Sequence, residues 1–88
     1  MRTAGVFRVN LEGLSLADVT VAVCDGAQVD DCTAWEIGYA YARGIPVYGL
    51  RTDRRIAQQA DEPVNLMVLE SLRVLCRSVD ALRDALAV

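Results

Sequence analysis

Two short, almost continuously apolar segments do most to constrain the fold of this sequence. Residues 19–24 read Val-Thr-Val-Ala-Val-Cys, and residues 47–50 read Val-Tyr-Gly-Leu. Runs of this length and composition are typical of strands that are covered on both faces. A helix-length segment separates them, so the strands are expected to pair in parallel through a right-handed crossover. The sequence therefore predicts an α/β protein with helices on both faces of a parallel sheet.

The segment between these strands is predicted to be a helix with an acidic entrance. Four carboxylates fall within residues 25–36: Asp25, Asp30, Asp31 and Glu36. The helix dipole favours negative charge at such an entrance. Thr33 is predicted to cap the helix, with Glu36 three residues later completing a capping box. The cluster also resembles a site beside a strand end, so spacing alone leaves Glu36 either a cap or a functional carboxylate.

Weaker patterns predict the remaining elements. They are a short helix over residues 9–16, a polar loop over 51–63, a short helix from Asn65 to about residue 70, a third strand over 73–77, and a closing helix over 79–88 capped by Ser78. Ligands of parallel sheets bind beyond the carboxyl ends of the strands. Asp25, the segment 30–36 and the turn at Thr52 and Asp53 are therefore expected at one edge.

Length and composition narrow the class of protein. The chain has 88 residues, enough for one domain, here taken as 1–88. No apolar run is long enough to span a membrane, and the N-terminus does not resemble a signal peptide. All nine basic residues are arginines, spread along a chain of net charge −3, which argues against binding a nucleic acid polymer.

Histidine and cysteine usage narrows the chemistry. The chain has no histidine, which removes Ser-His and Cys-His nucleophile pairs and most zinc sites. Its three cysteines, Cys24, Cys32 and Cys76, lack metal-type spacing, and the odd number fits reduced thiols in a cytoplasmic protein. Cys24 and Cys76 are predicted to be small core residues. We therefore expect no metal and no organic cofactor.

The longer motif is more specific than its helix-capping pattern. The motif begins with Asp30 and Thr33, each followed by two other residues, and continues as Glu36-Ile37-Gly38-Tyr39-Ala40. Further along the chain come Gly44-Ile45-Pro46-Val47, Thr52-Asp53 and Asn65-Leu66-Met67. This order resembles the nucleoside 2-deoxyribosyltransferases over nearly the whole chain from Phe7 onward. The resemblance implies a flavodoxin-like fold and an enzyme that moves 2-deoxyribose from one nucleobase to another, in nucleotide salvage.

The resemblance also implies roles for individual residues. Glu36 matches the nucleophile that attacks the anomeric carbon, and Asp30 matches the acidic residue near sugar and base. Asn10 falls where many members have an aspartate that protonates or positions the base. Asn65 matches a residue that reaches the substrate of a neighbouring subunit, which implies a homo-oligomer. Supporting contacts to the substrate are expected from Asp25, Gly26 and Tyr39.

Two departures from the family pattern are visible. The glycine of the acidic motif is Cys32 here. The family's opening strand, glycine-rich turn and helix are absent from the region that matches, so the sequence predicts a partial, N-terminally truncated form of the domain. Two alternatives stay open: a nucleoside or nucleotide N-glycoside hydrolase on the same scaffold, and a non-catalytic nucleoside-binding or assembly module.

Overall fold

The computed structural model of the chain describes residues 3–26, 28–53 and 65–87. The elements run α1 (Thr3–Ser15), β1 (Thr20–Val23), α2 (Asp31–Ala42), β2 (Val47–Leu50), α3 (Leu66–Ser71), β3 (Val74–Cys76) and α4 (Val79–Leu86). All three predicted strands are present, and each is followed by a helix or a turn leading to one. The predicted α/β class is confirmed.

The three strands form a parallel sheet in the order β1-β2-β3. Helices α2 and α3 pack together on one face, and α4 contacts β2 and β3. The core lies between the sheet and α2, where Ala22, Cys24 and Val47 meet Ile37 and Ala40. These side chains pack α2 against the sheet, and α2 follows the loop that leaves the carboxyl end of β1.

Strand β1 differs from the prediction that it is covered on both faces. Ala22 and Cys24 are buried, but Val21 is 44% exposed and Val23 is 55% exposed. The strand forms one edge of the sheet, while α4 lies over the other two strands. An apolar run indicates a buried strand from its sequence, but the position of the covering helix decides which face is buried.

Helix α1 is longer than predicted. It begins at Thr3 and not near residue 9, and it packs against α2. Leu11 and Leu14 are half-buried, whereas Phe7 remains 55% exposed. No helix among the described residues is long and apolar enough to cross a membrane.

Helix α2 begins differently from the prediction. Asp30 is the N-cap, and its carboxylate accepts hydrogen bonds from the backbone N–H groups of Cys32 and Thr33. The predicted Thr33 cap and its capping box with Glu36 are therefore wrong, since Thr33 already lies in the first turn. The predicted end is correct: Gly44 has φ of 77°, a left-handed conformation that favours glycine.

The other helix boundaries agree with the predictions. Asn65 caps α3 and Ser78 caps α4, each accepting a hydrogen bond from a backbone N–H of the first turn. In the predicted loop over 51–63, Arg51–Asp53 form neither helix nor strand, and the remainder lies outside the described residues. The predicted closing helix ends at Leu86, and position 88 also lies outside them.

Candidate functional site

The carboxyl ends of β1 and β2 are joined by the side chain of Asp25. Its Oδ1 accepts hydrogen bonds from the backbone N–H groups of Thr52, at 2.6 Å, and Asp53, at 3.2 Å. Its Oδ2 accepts the Thr52 hydroxyl at 2.7 Å. The hydrogen bond from the Thr52 side chain is the main reason that the pKa of Asp25 lies below its ordinary value. Asp25 and the Thr52–Asp53 turn thus meet at one edge, as expected.

Arg51 makes a second link between the same strand ends. Its side chain is almost completely buried, and its guanidinium donates hydrogen bonds to the carbonyl groups of Cys24 and Gly26. Its Nε is buried and has no hydrogen-bond partner among the described residues. Gly26 has φ of 100°, which lets its carbonyl meet the guanidinium at the turn. These contacts fix the start of the loop that leads to α2.

Helices α1 and α2 border an open cavity of about 370 Å³ beside Glu36. Its described lining residues are Phe7, Asn10, Leu11, Leu14, Asp31, Cys32, Trp35 and Glu36. The α1 residues supply most of the apolar wall, while α2 contributes two carboxylates. A small number of polar groups in a mainly apolar cleft is the usual composition of a site for a small organic molecule.

The side chain of Glu36 is half-buried in the wall of this cavity. No hydrogen bond or ion pair joins it to any other residue in the described part of the chain. Its own helix is capped by Asp30 instead. A carboxylate that has no structural task and borders a cavity remains available to a ligand.

An aromatic layer extends from the cavity along α2. The rings of Trp35 and Tyr39 are stacked, with centroids 5.7 Å apart and planes within 6°. The guanidinium of Arg43 lies 5.6 Å from the centroid of Tyr39, on that ring's face. Phe7 meets Trp35 edge-on at 5.8 Å. Trp35 and Phe7 line the cavity, whereas Tyr39 supports Trp35 from outside it.

Only two of the predicted site residues border the cavity beside Glu36. Glu36 and Asn10 share the cavity between α1 and α2. Asp30 is occupied as the cap of α2, and Asp25 and Gly26 take part in the links between β1 and β2. These three, with Tyr39, are absent from the described lining of the cavity.

Asn65 lies on the other side of α2. It borders a second cavity of about 640 Å³, between α2 and α3, whose described lining also includes Ile37, Gly38, Arg51 and Met67. Its Oδ1 accepts the Met67 N–H at 2.8 Å. Asn65 and Glu36 therefore border different cavities of one chain.

Sequence reasoning missed several residues of the Glu36 cavity. The sequence patterns place Asp31 among the carboxylates of the helix entrance without a role of its own, and they do not single out Trp35. Phe7, Leu11 and Leu14 follow the i, i+4, i+7 spacing of one helical face, which is the signal that could have extended α1 and located the opposite wall. Arg51 carried no such signal, because its burial depends on carbonyl groups contributed by another loop.

The described residues contain no group of three or more potential ligands arranged for a metal ion. Their cysteines are free: Cys24 and Cys76 are buried, as predicted, and Cys32 is exposed. Burial is the main reason that the pKa of Cys24 is raised. The chemistry that this edge offers is that of carboxylates, an amide and aromatic rings.

These features define a small parallel α/β domain whose candidate site centres on a carboxylate of α2, Glu36, that borders a cavity. Residues 2–67 match the family model for nucleoside 2-deoxyribosyltransferases. The chain belongs to the nucleoside 2-deoxyribosyltransferase family.

Comparison with solved structures supports the same fold. The chain is similar to a 2-deoxyribosyltransferase from the psychrotolerant bacterium Bacillus psychrosaccharolyticus, which is described as a biocatalyst for nucleoside synthesis. The TM-score is 0.77 and the sequence identity 28%, over 92% of this chain. The matched region spans 54% of that enzyme, or about half its length. No curated protein sequence matches this chain.

Proposed function

We propose that this chain transfers 2-deoxyribose between nucleobases, with Glu36 as the nucleophile. The observation that carries the proposal is the placement of Glu36, half-buried in the wall of a cavity and without a partner among the described residues. Membership of the family supports the class of reaction. Loss of a base from a nucleoside creates positive charge at the sugar, which a nearby carboxylate stabilises.

The proposed reaction has two half-reactions. A carboxylate oxygen of Glu36 bonds to the anomeric carbon while the bond from that carbon to the base nitrogen breaks. The electron pair of the broken bond stays on the base nitrogen, which takes up a proton. An incoming base then attacks the same carbon, loses a proton and releases Glu36. Two displacements at one carbon retain its configuration.

The proton must be exchanged by another group of the cavity. Asn10 carries an amide, which donates a hydrogen bond to the base but is not an acid. Asp31 is the second carboxyl group among the described lining residues and is proposed to exchange the proton. Asp30 is proposed to bind near the sugar, as the family resemblance implies, while also capping α2.

Asn65 is proposed to act on a neighbouring subunit's substrate. Within one chain it borders the cavity on the far side of α2 from Glu36, so a contribution to a Glu36 site would come from a second chain. We therefore propose a homo-oligomer, working on nucleosides and free bases in cytoplasmic nucleotide salvage. Light scattering after size-exclusion chromatography tests this: a monomeric mass at working concentration contradicts it.

A base-exchange assay tests the proposed function. The protein is incubated with a 2-deoxynucleoside and a second free base, and products are separated by chromatography. The new deoxynucleoside is the expected product. Free 2-deoxyribose in its place identifies a hydrolase on the same scaffold. Binding without turnover identifies a non-catalytic nucleoside-binding module.

A further inference from the structure

The cavity beside Glu36 has an aromatic wall that the proposed bond-breaking step does not use. Trp35 is 50% exposed and Phe7 is 55% exposed, and both line the cavity. Large aromatic surfaces left open beside a polar group are typical of sites that bind a flat, partly apolar ligand. The wall is therefore a candidate for part of a binding site.

Trp35 is held in place from behind. Tyr39 stacks on it in a nearly parallel arrangement, and Arg43 lies over Tyr39. All three residues belong to or directly follow α2, so the layer is built on one rigid element. A ring fixed in this way loses little side-chain freedom when a ligand packs against it.

Trp35 and Glu36 are adjacent in the sequence, as the base and the sugar are adjacent in a nucleoside. A nucleobase is attached directly to the carbon that a nucleophile must reach, so its binding surface has to lie next to that nucleophile. Trp35 and Glu36 are consecutive in α2, and both border the same cavity. Because both border one cavity, this aromatic ring and this carboxylate can receive the two joined halves of one ligand.

We propose that the nucleobase packs against the indole ring of Trp35, next to Phe7, while Glu36 meets the sugar. This inference rests on the proposed function and deepens it by assigning the base-binding surface. Trp35 binds the base and takes no part in bond making or breaking, which is the role proposed for Glu36. Since stacking uses the face of a base and not its hydrogen-bonding edge, we expect both purine and pyrimidine deoxynucleosides to bind.

Variants of Trp35 test the assignment by steady-state kinetics. Removal of an aromatic surface for a base weakens binding by roughly tenfold. Trp35→Leu should therefore raise KM for the deoxynucleoside about tenfold and change kcat little, since the interaction is made in both ground and transition states. Trp35→Phe keeps an aromatic ring and should recover most of the loss. Tyr41→Leu, an exposed aromatic position of the same helix, is the matched control and should leave KM unchanged.

Trp35 also reports binding directly, because it is the only tryptophan in the chain. Titration of the unaltered protein with a deoxynucleoside, or with the free base, should produce a saturable change in tryptophan fluorescence. Free 2-deoxyribose should produce none. This measurement does not depend on whether the Trp35→Leu protein folds.

The two sets of results separate this inference from the proposed function. Base exchange with an unchanged KM in both Trp35 variants overturns the inference and leaves the function standing. A base-dependent fluorescence change without exchange keeps the inference and overturns the transferase. Neither exchange nor a fluorescence response to the base overturns both.

Discussion

The carboxylate of Asp25 and the side chain and backbone of Thr52 are joined by two hydrogen bonds, of 2.6 and 2.7 Å, between the ends of neighbouring strands. A third bond, from the Asp53 N–H, uses the same carboxylate. A contact between Asp25 and the substrate stays a prediction, and the three hydrogen bonds that its carboxylate accepts here all come from the loop after β2. These bonds fix the edge of the sheet from which α2 departs.

Asp25→Asn should destabilise the protein by about 1–2 kcal/mol at neutral pH, because the amide nitrogen cannot accept the Thr52 hydroxyl. The pKa of Asp25 lies below its ordinary value of 3.8, chiefly because of the Thr52 side-chain hydrogen bond. The stabilisation is therefore present above pH 3.8 and is lost as the pH falls through the lowered folded-state pKa. Urea unfolding of both proteins across this range measures it. A difference that grows towards acid pH contradicts the assignment.

Arg51→Lys should destabilise the protein by about 1–3 kcal/mol. A lysine ammonium lacks the planar fork with which the arginine donates to the carbonyl groups of both Cys24 and Gly26, and the site is buried. Arg73→Lys is the matched control, since Arg73 is exposed and bonds Val47 through its backbone. Denaturant midpoints of the two variants check the prediction. Equal midpoints would show that the carbonyl contacts contribute nothing.

Substitutions at Asp30 and Thr33 show which of the two residues caps α2. Asp30→Ala should cost about 1 kcal/mol, because the N–H groups of Cys32 and Thr33 lose their acceptor. Asp30→Asn should retain most of that stability, since asparagine is also a good N-cap. Thr33→Ala should have a smaller effect than Asp30→Ala. Thermal unfolding followed by circular dichroism compares the three. If Thr33→Ala were more destabilising than Asp30→Ala, Thr33 would be the N-cap, as the sequence predicts.

Gly49→Ala should destabilise the protein by about 1–3 kcal/mol through overpacking. A methyl group at this position in the central strand would lie 2.6 Å from Cδ1 of Leu72 and 3.2 Å from Cδ1 of Leu75. The control is Gly13→Ala in α1, where an added methyl group meets nothing within 4 Å. That variant should gain up to about 1 kcal/mol from helix propensity. Calorimetric melting temperatures that shift in the same direction for both would contradict the packing argument.

Features of the structure that depend on local sequence were predicted, whereas features that depend on contacts between distant residues were not. Strands and helix ends were predicted well because local features define them: β-branched runs, and the end signals Gly44, Asn65 and Ser78. The N-cap of α2 was wrong because adjacent residues are all good caps, and only the folded loop selects Asp30. The exposure of Val21 and Val23 depends on a helix from the far end of the chain.

The candidate site shows the same division. The motif around Glu36 directed attention to that residue, and the structure places it on a cavity with Asn10. The sequence did not separate Asp31, which borders the cavity, from Asp30, which caps the helix. The two are neighbours in the chain, and their positions at the helix start differ by one residue. Arg51 and the aromatic wall depend on tertiary contacts.

Glu36→Gln should reduce base exchange by at least about a thousandfold, because an amide cannot form the sugar ester that a carboxylate forms. Since no described residue bonds to Glu36, the substitution should change the free energy of unfolding by less than about 0.5 kcal/mol. Glu12→Gln is the matched control: this glutamate of α1 is exposed and lies outside the described lining of the cavity. It should leave both activity and stability unchanged.

Mass spectrometry of the unaltered protein, quenched after mixing with a deoxynucleoside, should find added mass on the peptide containing Glu36. If Glu36→Gln exchanges bases at the rate of the Glu12 control, Glu36 is not the nucleophile, and Asp31 becomes the carboxylate to test next.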